Sequence, residues 1–243
     1  MTPLRIAMWS GPRNLSTAMM RAWENRGDCA VSDEPLYAHY LHATGLDHPA
    51  RDAVIAAGDT DWRRVTQALT QGPAPGDQPV WYQKHMSHHL LPSMDDAWIA
   101  GLRNVLLIRD PREVVASYVK SRATVTPDDI GLPQQVRLYD RLAALGRPPP
   151  VIDAGAFLHA PEAHLRHLCA DLGIDFTPRM LHWPAGPRDS DGIWAPHWYE
   201  RVWASTGFES TNDEAPALAG AHAAVAAACM PGYERLRALC VRA

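Results

Sequence analysis

The 243-residue sequence predicts an α/β fold in three layers, with a central, mostly parallel sheet of about five strands flanked by helices. Short apolar runs with the length of buried strands alternate along the chain with longer segments of helical periodicity. Three of these runs lead into loops with basic and hydroxyl side chains, as is common where parallel strands end. We therefore expect functional residues along one edge of the sheet.

Each element is predicted from its own local pattern. The strands are expected at the apolar runs 4–10, 29–32, 80–83, 105–108 and 151–153. Helical periodicity and flanking turn residues predict helices at 18–26, 47–71, 92–100, 132–145, 161–173 and 213–242, with one more opening after Asp110. Breaks are expected inside two of these helices, near Gly58 and at Pro231.

One late segment, 183–208, is rich in Gly, Pro and Trp and lacks clear periodicity, which favours a functional lid. No internal repeat or linker interrupts the chain. Residues 1–243 are therefore expected to form a single domain.

Composition and charge narrow the class of protein. The net charge of −4, from 23 Lys and Arg against 27 Asp and Glu, argues against a nucleic-acid partner. No apolar run approaches the roughly 18 residues of a membrane span, and no secretory leader is recognisable at the N-terminus. The four cysteines, at 29, 169, 229 and 240, form no close pair. We expect a reduced, cytoplasmic protein without disulfides or a thiolate zinc site.

The stretch around residue 109 is the most informative part of the sequence. The apolar run 105–108 predicts a buried strand, and it ends directly at Arg109. Asp110 is expected to cap the following helix, with Pro111 at its first position and Glu113 completing a capping box. An arginine beside a helix N-terminus at a strand end suits a phosphate group.

Ser117 lies two helical turns beyond this strand end. Together with Arg109 it would give a guanidinium and a hydroxyl, which are enough to hold one phosphate. The alternative is that Arg109 forms a structural ion pair and Ser117 is a small packing residue.

The first β-to-α turn, 10–17, resembles a phosphate-binding loop in composition. Backbone N–H groups of such a turn and the helix dipole favour an anion, and Arg13, Ser16 and Thr17 add further donors. The Gly-Lys-Ser/Thr ending of a Walker A motif is absent. The alternative is an ordinary connection in which Ser16 or Thr17 caps the helix.

Taken together, the two segments resemble the sulfotransferases that use 3′-phosphoadenosine 5′-phosphosulfate (PAPS). The turn 13–17 is similar to the family's 5′-phosphosulfate loop, with Leu15 where glycine is usual, and 105–117 is similar to its 3′-phosphate motif in residue type and spacing. The resemblance covers 4–122 well and 168–176 more weakly. It implies a P-loop-like fold in which PAPS is held by Arg13, Asn14, Leu15, Ser16, Thr17, Arg109 and Ser117.

The resemblance also implies roles for Lys84 and Glu34. Relatives place a lysine after the third strand against the bridging oxygen of the donor, and bacterial and carbohydrate-type members can use a glutamate like Glu34 as the base. Cytosolic-type relatives use a histidine two residues after the lysine, where this chain has Met86. His85 is the next candidate base, with His88 and His89 also nearby; a surface lysine and a polar or capping role for the histidines are the alternatives.

A late basic loop covers the nucleotide in relatives, and we map Arg188 and Trp194 onto it. The tryptophans of that segment could equally form a hydrophobic plug.

The implied function is transfer of a sulfuryl group from PAPS to a hydroxyl or amine of a small-molecule acceptor. No metal is expected, because the histidine cluster lacks a carboxylate or thiolate partner at ligand spacing. Two alternatives remain: a P-loop kinase, because 105–108 followed by Asp110 imitates a Walker B strand, and a non-catalytic nucleotide-binding protein with this fold.

Overall fold

The computed structural model describes residues 2–120, 122, 124–209 and 216–240. Its sheet has five strands, all parallel, in the order β2-β3-β1-β4-β5. The strands are β1 (Leu4–Ser10), β2 (Cys29–Asp33), β3 (Val80–Met86), β4 (Arg103–Ile108) and β5 (Val151–Asp153). The predicted α/β fold with a parallel sheet of about five strands is confirmed.

Helices connect the strands and cover the sheet. They are α1 (Ser16–Glu24), α2 (Tyr37–Thr44), α3 (Arg51–Ala57), α4 (Trp62–Gln71), α5 (Pro111–Tyr118), α6 (Pro127–Ile130), α7 (Leu132–Ala144), α8 (Ala154–His159), α9 (Pro161–Leu172), α10 (Ala195–Trp198), α11 (Glu200–Ala204) and α12 (Gly220–Arg237). Short 3₁₀ helices lie at Pro75–Asp77, Ser87–His89, Ala97–Gly101 and Pro178–Leu181.

The central strands are buried on both faces, as their continuous apolar runs predict. Alternate residues of β1 point to opposite sides of the sheet: Ile6 and Met8 pack with α1, α8 and α9, whereas Ala7 and Trp9 pack with α5, α7 and α12. The side chains of these four residues are fully buried. Two apolar cores, one on each face, therefore fix the sheet between its helical layers.

The parallel register brings the carboxyl ends of the strands to one edge. Ser10 at the end of β1 lies opposite Met86, and Asp33 at the end of β2 lies opposite Lys84. Because the chain enters a loop soon after each of these residues, the loops that follow β1, β2 and β3 meet at this edge.

Three helix predictions have different outcomes. The break near Gly58 is confirmed, since α3 ends at Ala57 and α4 begins at Trp62. The predicted helix 92–100 is wrong: only the 3₁₀ helix Ala97–Gly101 forms, and an Asp95 carboxylate oxygen accepts the N–H of Ala97 at 2.8 Å. This local hydrogen bond competes with helical continuation.

The predicted break at Pro231 is also wrong, because α12 continues through it. A Cβ on the neighbouring Gly232 would lie 3.1 Å from Val136 of α7, so the missing side chain allows the two helices to pack closely. Tertiary packing of this kind outweighs the one backbone hydrogen bond that proline removes. The predicted ends of this helix, 213–215 and 241–242, lie outside the described residues.

Candidate functional site

A cavity of about 540 Å³ opens at the carboxyl edge of the sheet. Its volume lies within the range of small-molecule sites, about 300–1,000 Å³. The predicted site residues that line it are Arg13, Asn14, Leu15, Ser16, Thr17, Glu34, Lys84, Arg109 and Ser117. Two other predicted residues, His85 and Arg188, do not line it.

The two candidate anion sites form one cluster at one end of this cavity. Arg13 Nε donates to Ser117 Oγ at 2.9 Å, and Arg109 Nη1 donates to the carbonyl oxygen of Arg13 at 2.9 Å. Arg201 of α11 lines the same cavity. Burial, together with the like charges of Arg109 and Arg201, lowers the pKa of the Arg13 guanidinium. This end therefore offers several cationic donors to an anion.

The start of α5 differs from its prediction in one contact. Asp110 caps the helix as expected, since its side chain accepts the N–H of Arg112 at 2.8 Å, and Pro111 is the first helical residue. Glu113 does not close a capping box: its carboxylate pairs with Arg109 at 2.7 Å. The guanidinium offers this carboxylate two charged N–H donors, Nε and Nη2, where a capping box offers one neutral backbone N–H, so the ion pair forms instead.

The first turn leaves the N-terminus of α1 facing the cavity. Leu15 occupies the N-cap position and no side chain caps the helix, so the alternative in which Ser16 or Thr17 caps it is wrong. Asn14 instead fixes the turn, because its Nδ2 donates to the carbonyl oxygen of Leu107 at 2.9 Å. The uncapped N–H groups of the first helical turn are available to an anion.

Close packing against α6 and left-handed backbone both shape this turn. A Cβ on Gly11 would lie 2.1 Å from the carbonyl oxygen of Ile130, so only glycine allows the turn to approach α6 this closely. Arg13 adopts a positive φ of 55°, and Glu34, in the loop after β2, adopts 42°. Left-handed backbone is uncommon for residues other than glycine and is often found at functional sites.

Lys84 lies at the centre of a buried polar network on the other side of the cavity. Its Nζ donates to Asp33 Oδ1 at 2.8 Å, to Glu34 Oε1 at 2.5 Å and to Tyr199 Oη at 2.7 Å. The lysine side chain is 1% exposed, so the alternative of a surface lysine is wrong. Three oxygens satisfy all three donors of the ammonium group.

The charges of this network oppose one another. Burial alone would lower the pKa of Lys84, but Asp33 and Glu34 outweigh it and raise that pKa well above its usual value. Burial raises the pKa of Glu34, while the charge of Lys84 acts in the opposite direction. Lys84 is therefore held as an ammonium ion beside a carboxylate that is more basic than an exposed glutamate.

Two residues of this network, Asp33 and Tyr199, were not predicted from the sequence. Tyr199 Oη donates to Asp33 Oδ2 at 2.7 Å, and the N–H of Gly192 donates to the same carboxylate oxygen at 3.0 Å. Asp33 ends a predicted strand and precedes Glu34, which is a local signal for a site residue. Tyr199 comes from the Trp-rich segment, where the sequence carries no signal that separates it from its aromatic neighbours.

A family model described as "Sulfotransferase domain" matches residues 4–240. The chain belongs to this sulfotransferase domain family. Two Arabidopsis thaliana proteins are similar to it. Branched-chain-amino-acid aminotransferase-like protein 2 is 37% identical over 96% of this chain, and branched-chain-amino-acid aminotransferase-like protein 1 is 38% identical over 97%. The alignments cover 41% and 42% of those two proteins, so the chain spans about two fifths of their length.

A solved structure supports the fold of this sulfotransferase domain. The sulfotransferase domain from the curacin biosynthetic pathway superposes with a TM-score of 0.51, covering 95% of this chain and 98% of that one. The two sequences are 15% identical, so the likeness extends to the fold alone.

His85 of the sulfotransferase domain lies in the protein core, away from the cavity. It is 1% exposed and its ring stacks on Trp9 with centroids 4.3 Å apart. Its Nε2 lies 3.3 Å from Oε1 of Gln83. Burial lowers the pKa of His85 to about 3, so its imidazole is neutral at neutral pH. This placement separates His85 from the residues that line the cavity.

Replacing His85 with asparagine is expected to reduce the acid-induced loss of stability. The folded-state pKa of about 3 lies below the unfolded value of about 6.5, so the unfolded chain takes up the proton first as pH falls. The resulting stability is present above about pH 6.5, and about 2 kcal/mol of it is lost by about pH 5. Urea unfolding of both proteins at about pH 7.5 and about pH 5 measures this difference.

The control for this experiment is the replacement of the exposed His42 with asparagine, which removes an imidazole without changing the protein core. An equal decrease on acidification in the His85→Asn variant and the wild type would show that His85 is not held neutral by the core.

Arg188 does not line the cavity. Its backbone N–H donates to Asp191 Oδ2 at 2.9 Å, and its Nη2 donates to the carbonyl oxygen of Pro184 at 2.9 Å. Trp194, the other residue mapped onto the late basic loop, does line the cavity. The basic residue that this late segment brings to the arginine cluster is Arg201, which sequence reasoning missed.

The Trp-rich segment is fixed against α1. Asp191 pairs with the buried Arg21 at 2.5 Å and accepts the indole N–H of Trp203 at 2.9 Å. The segment contains α10 and α11, and its hydrogen bond from Gly192 reaches the Lys84 network. The predicted loop is thus a folded wall of the cavity with two short helices.

Aromatic and histidine side chains line the end of the cavity away from the arginine cluster. The hydroxyl of Tyr37 lies 2.8 Å from His48 Nδ1, and Tyr37 stacks on His89 with ring centroids 4.8 Å apart. Burial lowers the pKa of His48 to about 4 and that of His88 to about 4 as well. The imidazoles of His48 and His88 are therefore neutral, so these histidines add polar groups but no charge to this end of the cavity.

Within the described residues, no group of three or more His, Cys, Asp or Glu side chains is placed to hold a metal ion. Among the same residues, none of the helices is sufficiently long and apolar to cross a membrane.

Proposed function

We propose that this domain transfers the sulfuryl group of PAPS to a hydroxyl or amine of a small-molecule acceptor. The observation that carries the proposal is the cluster in which Arg13, Arg109 and Ser117 bind one another in one cavity with Glu34 and Lys84. The donor has a 3′-phosphate and a 5′-phosphosulfate, and each needs a binding site. The acceptor must reach the sulfur near a base and near a group that stabilises the departing phosphate. The cavity supplies residues for each of these tasks.

The residues of the arginine cluster fit the phosphates of the donor. The uncapped N-terminus of α1 and Arg13 suit the 5′-phosphosulfate, and Arg109 and Ser117 suit the 3′-phosphate. The partners of Arg13 are a neutral hydroxyl and two like charges, which leaves its positive charge uncompensated in the cluster. An anionic ligand would relieve this repulsion.

Glu34 and Lys84 fit the transfer step. The acceptor oxygen or nitrogen would attack sulfur and form the new bond while the bond from sulfur to the bridging phosphate oxygen breaks. Glu34 would take the proton of the acceptor, and its raised pKa suits a general base. The ammonium of Lys84 would stabilise the charge that develops on the departing phosphate, which releases 3′-phosphoadenosine 5′-phosphate.

The kinase alternative depends on Asp110 as a metal ligand. In this structure Asp110 accepts the N–H of Arg112 and pairs with the Arg112 guanidinium at 2.5 Å, so its oxygens are already used. Asp110 is also absent from the lining of the cavity. These contacts favour a structural role at the helix start and support the sulfotransferase proposal.

Calorimetric titration with 3′-phosphoadenosine 5′-phosphate, with and without Mg²⁺, tests the donor assignment. We expect binding that does not depend on Mg²⁺ and is at least about tenfold tighter than binding of AMP, because AMP lacks the phosphate assigned to Arg109 and Ser117. A preference for ATP that requires Mg²⁺ would indicate a kinase instead. Bisphosphate binding without turnover of any acceptor would favour the non-catalytic alternative.

A further inference from the structure

One arginine of the cavity, Arg122, stands apart from the arginine cluster. It lines the cavity together with Tyr37 and His48. Burial, followed by the positive charge of Arg122, lowers the pKa of His48 to about 4. Arg13 contacts both Ser117 and Arg109, whereas Arg122 contacts Asp47 and Trp198. Arg122 therefore belongs to a separate set of contacts in the cavity.

The contacts of Arg122 leave its charge without a carboxylate partner among the described residues. Its Nη1 donates to the carbonyl oxygen of Asp47 at 2.8 Å, and its guanidinium lies 5.9 Å from the ring centroid of Trp198. Its Nη2 is buried and has no hydrogen-bond partner among the described residues. A buried donor left unpaired is unfavourable, so a ligand that supplies an oxygen here would bind more tightly for doing so.

Two of the neighbouring acidic side chains, Asp129 and Glu34, are already occupied. The side chain of Asp129 accepts from the backbone N–H and the hydroxyl of Thr126, both at 2.8 Å. Glu34 pairs with Lys84. Lys84 is itself compensated by Asp33 and Glu34, so, within the described part of the chain, Arg122 lines this part of the cavity without a carboxylate partner.

The walls between Arg122 and Glu34 are flat and aromatic. Tyr37 meets Trp194 edge to face with ring centroids 5.0 Å apart, and Trp198 also lines this part of the cavity. Tyr37 lines the cavity with both charged residues: its backbone N–H donates to the carbonyl oxygen of Glu34 at 2.9 Å, and its hydroxyl lies 2.8 Å from Nδ1 of His48. A planar ligand in contact with Tyr37 would extend from the base toward the guanidinium.

We propose that the acceptor is a small hydroxylated aromatic carboxylate, bound with its carboxylate on Arg122, its ring among Tyr37, Trp194 and Trp198, and its hydroxyl near Glu34. This proposal rests on the proposed function for the identity of the reacting hydroxyl, but the anion site at Arg122 stands on its own contacts. The carboxylate would neutralise the guanidinium and offer Nη2 the oxygen that the protein does not supply.

Two probes that differ only in charge test the proposal: 4-hydroxyphenylacetate and its amide, 4-hydroxyphenylacetamide. We expect the carboxylate to bind the wild-type protein at least about tenfold more tightly than the amide, measured by calorimetry with and without saturating 3′-phosphoadenosine 5′-phosphate. The Arg122→Gln variant should bind both probes equally. The Arg122→Lys variant should keep part of the preference, because it keeps the charge.

Arg63→Gln is the matched control, since Arg63 also lies over a tryptophan, Trp62, at 4.5 Å but is exposed and does not line the cavity. It should leave both affinities unchanged. Equal binding of the two probes to the wild type, or a carboxylate preference that survives in Arg122→Gln, would overturn the proposal. The comparison of the two probes on the wild-type protein needs no variant, so the proposal is tested even if the Arg122 variants fail to fold.

The same titrations, together with a turnover assay with PAPS, separate this proposal from the proposed function. If 3′-phosphoadenosine 5′-phosphate does not bind but the carboxylate preference depends on Arg122, the donor assignment fails and the anion site holds. If the bisphosphate binds and only neutral acceptors are sulfated, the donor assignment holds and the acceptor class is wrong.

Discussion

Replacing Lys84 with methionine is expected to lower turnover by about 10²–10³-fold and the free energy of unfolding by about 3–5 kcal/mol. The apolar stem is kept, but Asp33 and Glu34 lose the ammonium group that compensates them in a buried position. Removing one partner of a buried ion pair leaves an uncompensated charge, which is the costly case. Steady-state kinetics with PAPS and urea unfolding measure the two effects.

A second variant separates the structural from the catalytic role of Lys84. The double substitution Lys84→Met/Glu34→Gln removes one positive and one negative charge, so it should recover part of the lost stability. It should not recover turnover, because both the base and the leaving-group stabiliser are absent. Turnover that returns along with stability would show that Lys84 serves only to hold the fold.

Replacing Arg109 with alanine is expected to abolish the preference for a 3′-phosphorylated nucleotide. Hydrogen bonds to charged groups contribute about 1.5–3 kcal/mol each, so affinity for 3′-phosphoadenosine 5′-phosphate should fall by about 10–100-fold while affinity for AMP falls much less. Arg109 also donates to the carbonyl oxygen of Arg13, which sits in the first turn, so some general weakening is expected. Calorimetry with both nucleotides gives the ratio.

Arg112→Ala is the control for this variant. Arg112 lies three residues further along the chain, pairs with Asp110 and does not line the cavity, so its loss should leave the ratio of the two affinities as in the wild type. An Arg109→Ala protein that still prefers the bisphosphate by the wild-type factor would remove Arg109 from the 3′-phosphate site.

The parts of the fold that could be predicted are those determined by residues close together in the sequence. The apolar run before Arg109 and the Asp-Pro pair after it predict a strand end and a helix start from adjacent residues, and both are confirmed. The break between α3 and α4 follows in the same way from a glycine. The expectation of functional residues along one edge followed from the predicted parallel strands, because such strands end at the same edge, whereas the place of Lys84 among them followed from the family resemblance.

The parts that could not be predicted depend on contacts between distant residues. Tyr199 meets Lys84 across 115 positions of the chain, and no spacing or composition marks it as a partner. Which arginine of the late segment lines the cavity depends on how that segment folds: the backbone N–H of Arg188 bonds to Asp191 and Arg188 does not line the cavity, whereas the exposed Arg201 lines it. His85 follows Lys84 in β3, so the alternation of a strand sends its side chain to the opposite face.

The positive φ angles of Arg13 and Glu34 set a limit on how this protein could be improved. Left-handed backbone costs a residue other than glycine about 1–2 kcal/mol, so glycine at either position would relax the chain. At Arg13, glycine would relieve this strain but remove a proposed phosphate ligand. At Glu34, glycine would also remove the carboxylate that pairs with the buried Lys84, and that loss opposes the relief of strain. Selection for heat resistance at Arg13 therefore requires a separate screen for turnover.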